Sequence, residues 1–211
     1  AILRPEEIAA IGRLAQKHDL WILADEVYED LVFDGSTFTS PLSFPEFADR
    51  VVVTGPISQS HAAPGFRSGW CVGPADFIAR LLPLSETMLF GNQPFIADMT
   101  AEAVSQPSPV APGMRERFAR RSKLIHARCD GVCGLAVHRP EAGMFALIDV
   151  RATGMSGRTY ALDLLDQTRV AVMPGESFGQ ALAGCARVAL SPPDDVLAEA
   201  RDRIATHARQ P

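Results

Sequence analysis

Hydrophobic positions along the chain alternate between helical spacing and short continuous runs. Pro5 suits the first turn of a helix, and apolar side chains follow it at helical spacing, at Ile8, Ile11, Leu14 and Ala15. After His18 comes the continuous apolar run 20–24, which is typical of a strand buried on both faces. Helix followed by strand predicts an α/β sheet, with further strands at 51–53 and 70–72.

A proline-rich stretch divides the rest of the pattern into two parts. Residues 75–104 have a helical pattern that Pro83 and Pro94 are expected to interrupt. Residues 106–113 hold three prolines and predict a domain-boundary loop, which gives domains 1–112 and 113–211. The second part predicts helices at 114–128, 159–168 and 193–207, and strands at 135–138, 144–150, 170–173 and 187–190.

Composition and charge exclude several classes of protein. The 211 residues are 47% hydrophobic and 21% charged, as in an ordinary globular protein. The net charge of −5 argues against a nucleic-acid partner, which would favour a basic patch. No apolar run reaches the roughly 18–20 residues of a membrane-spanning helix, and we expect no signal peptide. We therefore expect a cytoplasmic protein with neither a nucleic-acid nor a membrane partner.

The four cysteines do not form a recognisable metal or disulfide pattern. Cys129 and Cys133 have the spacing C-x₃-C, and no second pair matches them. We therefore predict no metal site and expect reduced, mostly buried thiols.

Polar residues that could carry chemistry follow the first two predicted strands. Asp25 ends the first strand and Tyr28 lies three residues on, while Ser58 and Arg67 follow the second strand. Ligands of open α/β sheets bind beyond the carboxyl ends of strands. Taken singly, Asp25 is also explained as a cap or turn residue, and Arg67 as part of a surface ion pair.

Five segments, in order, resemble the class I/II aminotransferases, which have pyridoxal-phosphate (PLP) fold type I. The first, Ala-Asp-Glu-Val-Tyr-Glu-Asp-Leu at 24–31, is similar to the strand end that holds the cofactor ring, and 57–69 is similar to the cofactor-attachment segment. The others are Pro-Glu-Ala-Gly-Met-Phe at 140–145, Val-Met-Pro-Gly-Glu-Ser-Phe-Gly at 172–179 and Ala-Arg-Val-Ala-Leu-Ser at 186–191. The resemblance implies an α/β chain made of the C-terminal part of the large PLP-binding domain, with a mostly parallel sheet, and the smaller C-terminal domain.

The resemblance also assigns roles to individual residues. Asp25 would face the pyridine nitrogen of PLP, and Tyr28 would donate its hydroxyl to the phenolic oxygen. Ser58 and Arg67 would hold the phosphate, since a guanidinium can grip two oxygens at once. Arg187 would bind the α-carboxylate of the substrate; an ion pair at a strand end is the alternative for this residue.

One position departs from the family pattern in a way that affects chemistry. The family has a lysine eight residues before the phosphate-binding arginine, where it forms a Schiff base with PLP, and here that position is Gln59. An amide cannot form a Schiff base or shuttle a proton as an amine does. The lysines Lys17 and Lys123 lie on other predicted helices, and His61 is the remaining candidate base. We expect cofactor binding without covalent attachment, and an inactive chain.

The length is the second departure, because a complete enzyme of this family is about twice as long. The chain is therefore expected to be a partial chain that acts as a homodimer or with a complementing N-terminal half. Two functions stay open: an aminotransferase that moves an amino group between an amino acid and a 2-oxo acid, or a non-catalytic cofactor-binding or partner subunit. The segments at 60–62 and 88–96 are most similar to the arginine–pyruvate and broad-specificity branch.

Overall fold

The computed structural model describes residues 2–33, 35–90 and 93–209, so Gly91 and Asn92 of the segment 88–96 lie outside the described residues. Contacts divide the chain into two compact units, one that ends at Arg115 and one that begins at Glu116. The assignment of residues 1–112 and 113–211 to the two family domains stays a prediction.

The first unit contains a three-stranded sheet of order β1-β2-β3. Strands β1 and β2 are parallel, and β3 is antiparallel to β2. The elements are α1 (Pro5–Lys17), β1 (Ile22–Asp25), β2 (Val51–Pro56), α2 (Ile57–Ser60), β3 (Gly69–Val72), α3 (Ala75–Leu89) and α4 (Pro94–Val104).

The two faces of this sheet differ in burial. Val51 and Val53 form a buried cluster with Ile8 of α1 and Phe47. Alternation along the strands puts Leu23 and Asp25 on the opposite face, where Leu23 is 72% exposed. The prediction that the run 20–24 is buried on both faces is therefore wrong, because the described residues cover only one face.

Two proline-based predictions also need correction. Pro83 lies inside α3 without ending it, although Pro94 does begin α4 as a helix-starting proline can. The proline-rich loop is shorter than predicted, because α5 (Ala111–Cys129) already includes Pro112 in its first turn. The Ser108 hydroxyl oxygen accepts hydrogen bonds from the N–H groups of Val110 and Ala111, which fixes the entry to this helix.

The second unit contains a four-stranded sheet of order β4-β5-β7-β6, with antiparallel pairing throughout. Its strand predicted at 170–173 is reduced to Met173–Pro174, and the other predicted elements agree to within about three residues. After α5, the elements are β4 (Ala136–His138), β5 (Phe145–Asp149), α6 (Gly157–Thr168), β6 (Met173–Pro174), β7 (Cys185–Ala189) and α7 (Asp194–His207).

All four cysteines are free thiols. Cys129 and Cys185 are buried, whereas Cys71 and Cys133 are exposed, so the expectation of mostly buried thiols holds for only two of them. Burial raises the pKa of the Cys129 thiol to about 11, which keeps it protonated.

Candidate functional site

Asp25 lies at the carboxyl end of β1, on the sheet face opposite to α1. It pairs in register with Thr54 of β2, which in turn pairs with Cys71 of β3. Its Oδ1 accepts a hydrogen bond of 3.2 Å from the Val27 N–H, so the carboxylate also organises the turn that leads towards Tyr28. The side chain is therefore held at the strand end while the second carboxylate oxygen stays available.

The other predicted site residues of this unit gather at the same edge of the sheet. Helix α2 begins directly after β2 and carries Ser58 and Gln59. Arg67 precedes β3, which is antiparallel to β2 and therefore begins at the edge where β2 ends. The turns 29–31 and 64–66, next to Tyr28 and Arg67, both contact α2. The structure thus brings the five predicted positions of the first unit to one edge.

The side chain of Gln59 carries a buried oxygen that has no hydrogen-bond donor among the described residues. Its Oε1 is shielded from solvent and accepts no hydrogen bond from the described residues. A buried acceptor without a donor is uncommon in native proteins and costs free energy. This orphaned oxygen shows that the amide of Gln59 does not match its surroundings, because they offer no hydrogen-bond donor to it.

Among the described residues of the first unit, no lysine amine or free imidazole lies at this edge. Lys17 is in the last turn of α1, before β1 begins, so it lies towards the amino end of that strand. His61 uses both ring nitrogens: Nδ1 is 2.9 Å from the Ser60 hydroxyl, and Nε2 is 3.0 Å from the Ala103 carbonyl. The hypothesis that His61 is a free base therefore loses support.

Arg67 and Ser58 offer donors of the kind that an anionic group needs. Arg67 has left-handed backbone geometry with φ of 51° and donates from Nη1 to the Pro64 carbonyl at 3.0 Å. That bond uses one of the five guanidinium N–H groups, and no described residue accepts a hydrogen bond from the others. Pro56 contributes no backbone N–H, so the donors here are side chains and the amides of α2.

Sequence reasoning missed a group of carboxylates beside the candidate site. Glu26 is buried, and burial raises its pKa, although a 2.6 Å hydrogen bond from the Ser40 hydroxyl partly offsets this effect. Burial, together with the charges of Asp30 and Glu26, also raises the pKa of Glu29. Glu26 and Glu29 line a cavity of about 580 Å³ together with Trp70. The Trp70 side chain lies on the sheet face opposite to that of Asp25.

Arg187 lies on β7, between β5 and β6, in the second unit. Its guanidinium carbon is 4.1 Å from the centre of the Phe145 ring and 4.0 Å from that of Phe178. Among the described residues of this unit, no acceptor forms a hydrogen bond or ion pair with it. The ion pair at a strand end, which is the alternative explanation of Arg187, is therefore not formed with any described residue of this unit.

The described ranges contain neither a cluster of metal ligands nor a helix suited to a membrane. No three histidine, cysteine, aspartate or glutamate side chains in the part of the chain described are placed to hold a metal ion together. None of the helices described combines the length and apolar character needed to cross a membrane.

Comparisons with known proteins agree on one family. A sequence family described as aminotransferase class I and II matches residues 1–204. The chain is 42% identical over 201 residues to an arginine–pyruvate transaminase of Pseudomonas aeruginosa, covering 95% of this chain and 51% of that protein. It is 34% identical to an aspartate aminotransferase of Streptomyces avermitilis, covering 97% of this chain and 52% of that protein.

Solved structures give the same result. An aromatic aminotransferase of Pyrococcus horikoshii superposes with a TM-score of 0.91 at 27% identity, covering 98% of this chain and 56% of that one. A probable N-succinyldiaminopimelate aminotransferase of Thermus thermophilus gives a TM-score of 0.89 at 30% identity, with coverages of 98% and 55%. The chain therefore spans about half the length of the relatives that it matches.

Proposed function

Because the chain belongs to the class I and II aminotransferases and has the α/β structure of their PLP fold type I, we propose that it binds PLP reversibly at the edge that carries Asp25 and Arg67. The observation that supports this proposal best is Gln59, a neutral amide with an orphaned oxygen where the family has its anchoring lysine. The remaining polar residues of that edge are suited to hold the cofactor without a covalent bond.

The residues present fit the charges of PLP. Asp25 would hold a proton at the pyridine nitrogen, because a carboxylate stabilises the cationic ring nitrogen. Arg67 and the Ser58 hydroxyl would bind the phosphate, and Tyr28 would donate to the phenolic oxygen. When bound, PLP supplies an electron sink for bond changes at the α-carbon of an amino acid.

Gln59 limits what the chain can do with that cofactor. The amide can donate and accept hydrogen bonds, but it has no basic lone pair to take a proton from the α-carbon. His61 does not replace it, since both of its ring nitrogens are occupied. We therefore propose that the chain as written does not complete amino-group transfer.

Arg187 defines the proposed substrate class. An arginine fork matches the two oxygens of a carboxylate, which α-amino acids and 2-oxo acids share. The name of the Pseudomonas aeruginosa relative makes arginine and pyruvate the first pair to test.

An alternative proposal is that the chain is a partner subunit, in a homodimer or with a complementing N-terminal half. The observation that favours it is the exposed apolar side chain of Leu23, on the same sheet face as Asp25. Failure of the wild-type chain to bind PLP in the next experiment would favour this alternative.

Arg67→Gln is expected to weaken PLP binding about tenfold or more, because the variant loses a charged donor to the phosphate. Equilibrium dialysis of PLP against the purified protein would measure the Kd. Arg13→Gln on α1 is the matched control, because Arg13 is exposed and α1 packs on the sheet face opposite to Asp25. Equal affinity of the Arg67→Gln variant and the wild type would refute the phosphate role of Arg67.

A further inference from the structure

We propose that Phe145 and Phe178 are positioning residues that hold the Arg187 guanidinium ready for a planar carboxylate. This inference rests on the proposed role of Arg187 in binding substrate, and it adds the two rings that make that role effective. The rings would act in two ways: they fix the orientation of the guanidinium, and they limit the directions from which an anion can approach it.

Strand pairing brings the two rings to Arg187 from different elements. Arg187 pairs with Leu147 of β5 and with Met173 of β6, so its strand lies between the two. Phe145 is two residues before Leu147 and therefore on the same face of β5. Phe178 ends the short helical turn 175–178 that directly follows β6.

The distances place the guanidinium in contact with both rings. Its carbon is 4.1 Å from one ring centre and 4.0 Å from the other, well within the range of a cation–π interaction. The N–H groups of a guanidinium lie in its own plane, at its rim. An anion must therefore reach that rim to form hydrogen bonds, and the two rings limit the directions from which it can approach.

The turn that carries Phe178 is itself fixed by buried contacts. Oε1 of Glu176 accepts hydrogen bonds from the N–H groups of Gly157 at 2.9 Å and Gly184 at 3.1 Å. Donation from its own backbone N–H, followed by that of Gly184, lowers the pKa of Glu176, so the carboxylate stays ionised at neutral pH. At Gly175 a β-carbon would lie 2.0 Å from the Leu182 carbonyl oxygen, so this turn is tightly packed.

A guanidinium held in this way favours planar anions. A free arginine side chain loses rotamer freedom when it binds a ligand, and a preformed orientation reduces that cost. A planar carboxylate that lies in the guanidinium plane needs less room beside the two rings than the tetrahedral head group of a phosphonate does. The two rings are therefore expected to contribute both affinity and selectivity for carboxylates.

The test uses the PLP-loaded chain and two probes, L-alanine and its phosphonic acid analogue. Phe145→Leu and Phe178→Leu are each expected to raise the Kd for L-alanine about fivefold and to reduce the preference over the phosphonate. Phe178→Tyr should restore wild-type binding, because it keeps the ring, and the side chain is 43% exposed, so a hydroxyl can reach water. The Nε–H NMR signal of Arg187 reports the ring contact, and the change in preference for L-alanine over the phosphonate is the readout that a merely structural role would not move. Phe95→Leu, at a 67% exposed position on α4, is the matched control.

The outcomes separate this inference from the function on which it rests. If Arg187→Gln abolishes binding while both leucine variants bind L-alanine like the wild type, the role of the rings is refuted and the carboxylate role of Arg187 stands. If Arg187→Gln binds like the wild type, or the wild type binds no L-alanine, the proposed function of Arg187 fails, and the ring inference fails with it.

Discussion

Gln59→Lys is expected to convert reversible PLP binding into covalent attachment at residue 59. A lysine amine there would add to the aldehyde carbon of the cofactor and release water, which the glutamine amide cannot do. The position favours this result because it is on α2, between the turns next to Tyr28 and Arg67. The Oε1 atom of Gln59 is also shielded from solvent, and an amine placed there would be favoured in its neutral, nucleophilic form.

Borohydride reduction followed by peptide mass mapping measures this attachment. The variant should carry one reduced pyridoxyl group on the peptide that contains residue 59, and the wild type should carry none there. Gln180→Lys, which puts an amine at an exposed position of the second unit, is the matched control and should not be labelled to the same extent. If the two variants are labelled alike, position 59 does not face a bound cofactor.

Asp25→Asn is expected to reduce PLP affinity by about tenfold to hundredfold, because it removes the charge that would pair with the pyridine nitrogen. This variant discriminates between the two explanations of Asp25, a residue that pairs with the cofactor ring and a residue that only stabilises a turn. Asparagine keeps a side-chain oxygen for the Val27 N–H, so it preserves the turn that the structure shows. Equilibrium dialysis of PLP gives the affinity, and thermal unfolding reports the turn.

Asp25→Ala removes the turn contact as well as the charge. We expect it to bind PLP as weakly as Asp25→Asn and to unfold at a lower temperature. If Asp25→Asn binds PLP like the wild type and only Asp25→Ala is impaired, Asp25 is a turn residue and its cofactor role is refuted. Asp76→Asn, in the first turn of α3, controls for loss of one negative charge.

Much of the fold could be predicted because its signals are local. The apolar spacing after Pro5 gave α1, and the short apolar runs gave the strands of the first sheet. The exposure of Leu23 could not be predicted, since cover on a sheet face depends on what packs there and not on the strand's own residues. Pro83 was mispredicted for a similar reason, because tertiary context can hold a helix together through a proline.

The candidate site could be predicted only in part. Sequence order placed Asp25 and Arg67 after successive strands, and the topology rule for open sheets placed them at one edge. The burial of Glu26 and the stacking of Phe178 on Arg187 depend on residues distant in sequence. The motifs that contain Phe145 and Phe178 could be recognised in the sequence. No local pattern, however, indicates that both rings contact the guanidinium of Arg187.

The most direct test of a PLP site without an anchoring amine is equilibrium dialysis of PLP against the double variant Lys17→Arg, Lys123→Arg. These are the two lysines of the chain, and both are exposed, so arginine should keep the charge and the fold at each position. We predict that the double variant binds PLP with the Kd of the wild type. Loss of binding in this variant would show that a lysine amine holds the cofactor, and would contradict the site built around Asp25 and Arg67.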